Sequence, residues 1–515
     1  MAQEEADPLS WIRFFVGDFA FCGYLNTTGN KQLGQYNKNH TIYSMDFKQQ
    51  LPEGSVRRVD LAVIGSGPGG YEAALRASKA GMKVSLIEKG MLGGVCVNWG
   101  CIPTKALLRS AELFDLFKKS ASFGLKIPSV DIDLPEAVKR SRVVAQKLSK
   151  GVAFMLRRAE VEVIQGEALF SGAHRLDIFR EGLHVETLQA NHIIIASGAR
   201  TRQLPGLEPD GKHIITSREA LVMKSVPNSM MVLGGGAIGV EMAWFYAMAG
   251  SAVTLVEMMP RLLPLEDEEI SEVLKRSFLK AGITVLTGAK LERVTVSADQ
   301  VNGFLAVEGA DPQPVTVNCL LVAVGVTGNC DGLGLEHAGV ESSRGFVVTD
   351  SSCRTSVNHI FAIGDVRGGM LLAHKASAEA ALAVDTIAGK HSRPIDESMI
   401  PRCVYAEPSV ASIGWSEKEA AAKGYTVKVG RSMFAASGKA NACGSLEGLV
   451  KLVFNADDNR LLGAHIVGHG AVELIGEITL ARRLEVCAEL LAETVHAHPT
   501  LSETIREAAE NAMQA

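Results

Sequence analysis

The longest apolar runs of the chain are broken by glycine, and two of them break in the same way. LAVIG (61–65) predicts a strand that passes through Gly65, Gly67 and Gly70 into a helix, YEAALRASKAG, and on into a second strand, VSLIE, ending at Glu88. MMVLG (230–234) does the same through Gly234, Gly236 and Gly239 into EMAWFYAMAG and AVTLVE, ending at Glu257. Met230–Met259 is apolar enough to suggest a membrane span. Glu241, Glu257 and the glycines before the helix instead predict strand, turn, helix and strand.

The two stretches agree position by position. Counted from the first glycine, Gly65, Gly67, Gly70, Glu72, Gly81 and Glu88 fall at the same intervals as Gly234, Gly236, Gly239, Glu241, Gly250 and Glu257. In such a unit the first glycine makes a tight turn, the second lets a pyrophosphate approach the backbone, and the third lets the helix pack closely. The helix N-terminus then offers unpaired N–H groups to the phosphates. A carboxylate at the end of the second strand accepts hydrogen bonds from ribose hydroxyls, and Glu257 would repel a 2′-phosphate. Two units in register predict two dinucleotides, with NAD rather than NADP at the second.

The other patterns are shorter. TSVNHIFAIGDV carries Gly364 and Asp365 after an apolar strand, and IREAAENA near the end predicts a helix. Residues 1–57 are of another kind. Trp11–Phe21 is aromatic and apolar but holds Arg13 and Asp18, and Glu4, Glu5 and Asp7 precede it where a signal peptide is positive. TTGNKQLGQYNKNH resembles a linker. The expectation is a poorly structured extension over residues 1–57, of which residues 1–44 are dispensable for function, with Met45 as an alternative start.

At 515 residues the length suggests three or four domains, and 47% hydrophobic with 21% charged residues is ordinary globular composition. The net charge of −5, without a basic run, excludes bulk electrostatic attraction to nucleic acid or anionic membrane. Nine cysteines scattered from Cys22 to Cys487 do not read as a secreted disulfide framework, so a reducing, cytoplasmic setting is expected. No metal site is expected.

Cys96 and Cys101, in GGVCVNWGCIPTK, follow the first unit closely. Their spacing fits neither a thioredoxin-type CxxC nor a common zinc site. A regular helix would put them on different faces, but Gly100 and Pro103 imply a helix start or distortion that could bring the sulfurs together. A cysteine at a helix N-terminus has its thiolate stabilised by the dipole.

These residues, with IIIASGAR, FAIGDV, LLAHKA, IPRCVYAEPSVASIG, LLGAHIVG and HAHPTLSE in this order, resemble the pyridine nucleotide-disulfide oxidoreductases over residues 58–515. Within that family the likeness is to the branch that oxidises dihydrolipoyl groups. The resemblance implies an α/β fold with two Rossmann-like domains, for FAD and NAD, and a C-terminal α+β dimerisation domain. The divisions would be 58–200 for the first part of the FAD domain, 201–326 for the NAD domain, 327–398 for a central segment completing the FAD domain, and 399–515 for the interface.

By the same resemblance Gly65, Gly67, Gly70 and Glu88 hold the ADP half of FAD. Lys105 and Asp365 lie near the flavin, and Ala168, Ser197, Gly198, Ala199, Leu371, Leu372, Ala373 and His374 add backbone contacts. Gly234, Gly236, Gly239, Glu241, Glu257, Leu291 and Gly325 line the NAD site, and Lys105 pairs with Glu241 beside the flavin. Cys101 faces the flavin and Cys96 exchanges with substrate. His498 acts across a homodimer interface as base, oriented by Glu503. His496 is the nearby decoy, and Thr500 with Glu503 also fits a helix capping box.

Partners implied are lipoyl domains of a 2-oxoacid dehydrogenase acyltransferase or a glycine cleavage carrier protein. Relatives that prefer NADP, carry a C-terminal cysteine pair or lack one redox cysteine are set aside by Glu257, by the ending EAAENAMQA and by the presence of both Cys96 and Cys101. A non-catalytic flavoprotein scaffold would lack at least one of Cys96, Cys101, His498 and Glu503. Val95, Trp99 and Ala380 depart from the commonest family wording, as does VGVTGNCDG, which lacks the arginine and proline often found after its glycine.

Overall fold

The computed structural model describes residues 56–514. The expectation of an unstructured extension therefore lies outside the described residues, except at its last two positions. Val56 and Arg57 belong to the first strand, Val56–Ile64, paired in register with Thr187 and Leu188. Ion pairs of Arg57 with Glu162 and Glu186 tie that end down.

The first unit builds a parallel core in which Glu162–Gln165, Val84–Glu88, Val56–Ile64 and Leu183–Ile195 lie side by side. Leu183–Ile195 is also the last strand of an antiparallel meander with Glu167–Gly172 and Arg175–Arg180. Its far edge takes Ile360–Ala362 in parallel, so chain from after the second unit returns to the first sheet. Both faces are covered, and Leu61, Ala62, Val63, Ile193, Ile194 and Ile195 are buried completely, which is why the sequence here runs apolar without alternation.

The second unit repeats the plan. Thr284–Thr287, Ala252–Glu257, Ser229–Leu233, Cys319–Val322 and Ile214–Ile215 form a parallel sheet, and a meander of Ala289–Ser297, Gln300–Val307 and Gln313–Val317 again precedes the return strand. The intervening helix, Ala237–Met248, is buried almost all round, with Trp244, Phe245 and Tyr246 in the core. That burial explains the membrane-like hydropathy of Met230–Met259. Among the described residues no helix is long and apolar enough to cross a membrane.

Residues from Arg402 onward form a five-stranded antiparallel sheet backed by helices Ala471–Arg483 and Glu503–Gln514. Ile413, Val450, Leu452, Phe454 and Ile466 on the sheet meet Ile475, Ile478, Ile505 and Ala508 on the helices. The observed class is α/β with a C-terminal α+β domain, as expected.

Candidate active site

The two glycine loops are geometric copies. Gly65 has φ +97° and Gly234 φ +113°, and a Cβ on either would lie 2.3 or 2.4 Å from the carbonyl oxygen of Ala196 or Ala323. A Cβ on Gly70 or Gly239 would lie 1.9 or 1.8 Å from the carbonyl oxygen of Gly65 or Gly234. These four glycines are required by the fold. The middle ones are not, because Gly67 and Gly236 have ordinary extended dihedrals and nothing within 4 Å of an added Cβ. Glycine at a position open to solvent that the chain does not need is explained by a ligand pressed against the backbone.

The carboxylates repeat as well. Glu88 accepts from Ser66 N at 2.9 Å and Gly90 N at 2.6 Å, and Glu257 from Gly235 N at 2.6 Å and Met259 N at 2.7 Å. Each is thereby held at the strand end above its glycine loop. Of these partners only Ser66 brings a side chain, its hydroxyl donating to Glu88 at 2.6 Å.

The cysteine pair straddles a break. Gly94–Trp99 and Cys101–Lys118 are separate helices hinged at Gly100, whose backbone (φ −145°, ψ −116°) belongs to neither. The buried Asn98 amide donates to the carbonyls of Leu92 and Gly94, at 3.0 and 2.9 Å, and so closes the short helix onto its own loop. Cys101 starts the longer helix, and both cysteines are free thiols. The Cys96 thiol donates to the Cys101 sulfur, and this shared proton and burial push Cys96 upward. The same hydrogen bond, with Lys105 one turn along and the helix N-terminus, brings Cys101 down to about 7 despite its burial.

Lys105 Nζ meets Glu241 at 3.0 and 2.9 Å and lies 4.2 Å from the centre of the Tyr405 ring. Tyr405 N donates to Glu241 Oε1 at 3.0 Å. Tyr405 was not singled out from the sequence, although it lies inside the IPRCVYAEPSVASIG block. Asp365 opens a 3-10 turn at Gly364–Arg367 and is raised by burial, partly offset by Lys375. Beneath it Glu379, fully buried, accepts from Gly364 N at 2.6 Å and pairs with Lys375 and Arg367.

The remaining expected contact residues lie on several other segments. Ser197 and Asn329 exchange hydrogen bonds of 2.9 and 2.8 Å, which join the Ser197–Ala199 segment to the chain just past Gly325. Leu372 caps the helix Ala373–Ile387, His374 Nε2 lies 2.8 Å from the Pro401 carbonyl, and Ala168 sits buried on the meander. Leu291 lies on the second meander.

His498 Nδ1 lies 2.9 Å from Glu503 Oε1, and its side chain is 79% exposed. His496 is of the opposite kind. Its side chain is 7% exposed, with Nε2 held by Glu477 at 2.8 Å and Nδ1 by the Thr494 carbonyl at 3.0 Å. The capping-box expectation is corrected in form. The helix begins at Glu503 itself, Thr500 Oγ1 donates to the Ala497 carbonyl, and only the Glu503 Oε2 to Thr500 N bond, 2.9 Å, is made. The carboxylate serves both ends, one oxygen each, and those two bonds hold it below the usual carboxylate range. Among the described residues of one chain no hydrogen bond or ion pair joins His498 to Cys96 or Cys101.

With this arrangement in place, comparison with known proteins is decisive. Residues 59–380 match the family model "Pyridine nucleotide-disulphide oxidoreductase", and residues 400–509 match that family's dimerisation domain. The chain belongs to the pyridine nucleotide-disulphide oxidoreductases. It is 63% identical over 465 residues to dihydrolipoyl dehydrogenase of Chlorobaculum parvum, covering 90% of this chain and 99% of that one. It is 45% identical over 451 residues to the enzyme of that name from Zymomonas mobilis, covering 87% and 96%.

Among solved structures, LpdA from Mycobacterium tuberculosis is similar at 27% identity with a TM-score of 0.81. RclA, an HOCl-induced flavoprotein disulfide reductase from Escherichia coli, is similar at 27% with 0.78. In both comparisons 88% of this chain and 99% of the other are covered. As a pyridine nucleotide-disulphide oxidoreductase the chain uses FAD and NAD, which fits the two open cradles at Gly67 and Gly236, and it forms a homodimer.

Proposed function

We infer that this chain oxidises dihydrolipoyl groups to the cyclic disulfide and reduces NAD, as a dihydrolipoyl dehydrogenase. The observation that carries the reading is the thiol pair set on either side of the Gly100 break, with Cys101 at the start of its helix and Lys105 one turn along, which lowers the Cys101 thiol. One sulfur is thus suited to hold negative charge and the other to leave as a thiol. The relatives' name and their coverage of the chain support the choice of substrate.

In the oxidised state Cys96 and Cys101 share the disulfide. His498 of the partner subunit takes a proton from the substrate dithiol, and the resulting thiolate attacks Cys96. The Cys96–Cys101 bond breaks, a mixed disulfide forms at Cys96, and Cys101 leaves as a thiolate stabilised by Lys105 and the helix N-terminus. The second substrate thiol passes its proton to His498 as the imidazole hands the first to Cys96, and displaces Cys96, so the two protons end on Cys96 and His498. Glu503 keeps the imidazole oriented through Nδ1. The first glycine loop, Glu88, Lys105 and Asp365 would hold FAD, which would supply two-electron transfer between the thiols and a NAD held by the second loop. The lipoyl group comes from the lipoyl domain of a 2-oxoacid dehydrogenase acyltransferase or a glycine cleavage carrier protein, in a reducing compartment such as the cytoplasm.

The test is the rate of NAD reduction by dihydrolipoamide, with NADP as control. Turnover with NAD alone is expected. Absence of turnover in flavin-loaded protein would remove the lipoyl assignment and leave another disulfide as substrate.

A further inference from the structure

The antiparallel ribbon of Ala199–Thr201 and Val326–Gly328 borders a surface cavity of about 320 Å³. Its lining is Arg200, Thr201, Arg202, Gln203, Thr327 and Arg344. Half of these side chains are cationic and none is acidic. Arg200 is engaged, with Nη1 donating to the Gly328 carbonyl at 3.0 Å and Nη2 paired with Asp331. The guanidiniums of Arg202 and Arg344 have no hydrogen-bond or ion-pair partner among the described residues.

Unpaired surface arginines ordinarily extend into water, away from one another. Here two of them line one hollow with a third, Arg200, whose charge is offset by Asp331. In the ribbon Val326 is paired with Thr201 and Thr327 with Arg200, and Arg202 follows directly on Thr201.

We propose that this cavity binds a phosphate-bearing anion of about the size of pyrophosphate. Arg202 and Arg344 grip its oxygens with their planar forks, and the Thr201 and Thr327 hydroxyls and the Gln203 amide are the remaining donors. The site is separate from the dinucleotide cradles, since no residue of either glycine loop lines it. It lies on the joint between them. Arg202 N donates to the Gly325 carbonyl at 3.0 Å, and Ala199 leads into the ribbon from the flavin segment.

The experiment is calorimetric titration of the flavin-loaded dimer, saturated with NAD, using pyrophosphate, inorganic phosphate and ADP in parallel. One saturable site per subunit is expected for pyrophosphate. The double variant Arg202→Gln/Arg344→Gln is expected to bind it at least about tenfold more weakly, with flavin content and dihydrolipoamide turnover unchanged. The Arg202→Lys/Arg344→Lys variant keeps the charge but not the fork, and is expected to fall between the two. Tighter binding of ADP than of pyrophosphate would identify a nucleotide as the source of the phosphate, and the reverse order a free anion. Absence of saturable heat at millimolar pyrophosphate, displacement by NAD, or equal affinity in the glutamine variant would overturn the proposal.

Discussion

Lys105, on the helix that Cys101 begins, donates to Glu241 of the second glycine-loop unit at 2.9 Å, so one ion pair joins the thiol segment to that unit. The two partners act on Cys101 in opposite senses, Lys105 lowering its thiol and Glu241 raising it. In the reduced enzyme the Cys101 thiol is held below the ordinary thiol range, so its thiolate persists to lower pH than a free cysteine's and is lost on acidification. Lys105→Met is expected to move the titration to higher pH and Glu241→Gln to lower pH, read from thiolate absorbance. Shifts in the same direction would contradict this account.

The glycine loops separate folding from loading. Gly67→Ala is expected to give protein with native circular dichroism but little flavin, and Gly236→Ala flavin-loaded protein with a strongly raised KM for NAD. Gly70→Ala and Gly239→Ala place a Cβ within 2 Å of a carbonyl oxygen and are expected to yield little folded protein. If all four behaved alike, the middle glycines would have no special relation to a ligand.

His498→Gln is expected to lower dihydrolipoamide turnover by about two to four powers of ten. Reduction of a dye by NADH, which bypasses the thiols, should continue. Glu503→Gln should cause a smaller loss, since the imidazole remains. The carboxyl of Glu503 is held low by Thr500 N and His498. Its contribution to stability is therefore present above the ordinary carboxylate value and lost only as pH falls below it. His496→Gln, at the buried neighbour, should lower stability more than turnover.

His465 is fully buried, with Nε2 3.2 Å from the Trp415 carbonyl and Nδ1 unpartnered. Burial, with Arg402 and Lys451 nearby, depresses it against the opposing pull of Asp267. The unfolded chain takes up a proton near the ordinary value of about 6.5 while the folded chain does not. Stability is then greatest above that pH and falls below it, by up to about 1.4 kcal/mol per pH unit. Urea denaturation at several pH values should show a flatter acid limb for His465→Gln, and an unchanged limb would assign acid sensitivity elsewhere.

How much of this was legible in the sequence follows from the distance between partners. The glycine loops, Glu88 and Glu257 are local patterns, because one turn and one strand end must meet one ligand, and the structure keeps them in matching geometry. The break at Gly100 was likewise visible beside the cysteines. Lys105 and Glu241 are 136 positions apart, and only resemblance brought them together. Tyr405 was missed because its part depends on a third stretch of chain reaching the same pair. Trp99, visible only as an unusual residue, has the guanidiniums of Arg142 and Arg218 at 4.3 and 4.4 Å from its ring centre, a cluster assembled from three separated segments. Glu503 was read with two competing roles because spacing cannot show that a carboxylate divides its oxygens between two donors.

The outward-facing imidazole of His498 gives the dimer a genetic signature. If each catalytic centre takes its thiols from one chain and its imidazole from the other, two dead variants can rescue each other. Subunits carrying Cys101→Ser and subunits carrying His498→Gln, unfolded and reassembled together, would form mixed dimers with one complete centre each. A random equal mixture should then regain about a quarter of the wild-type rate.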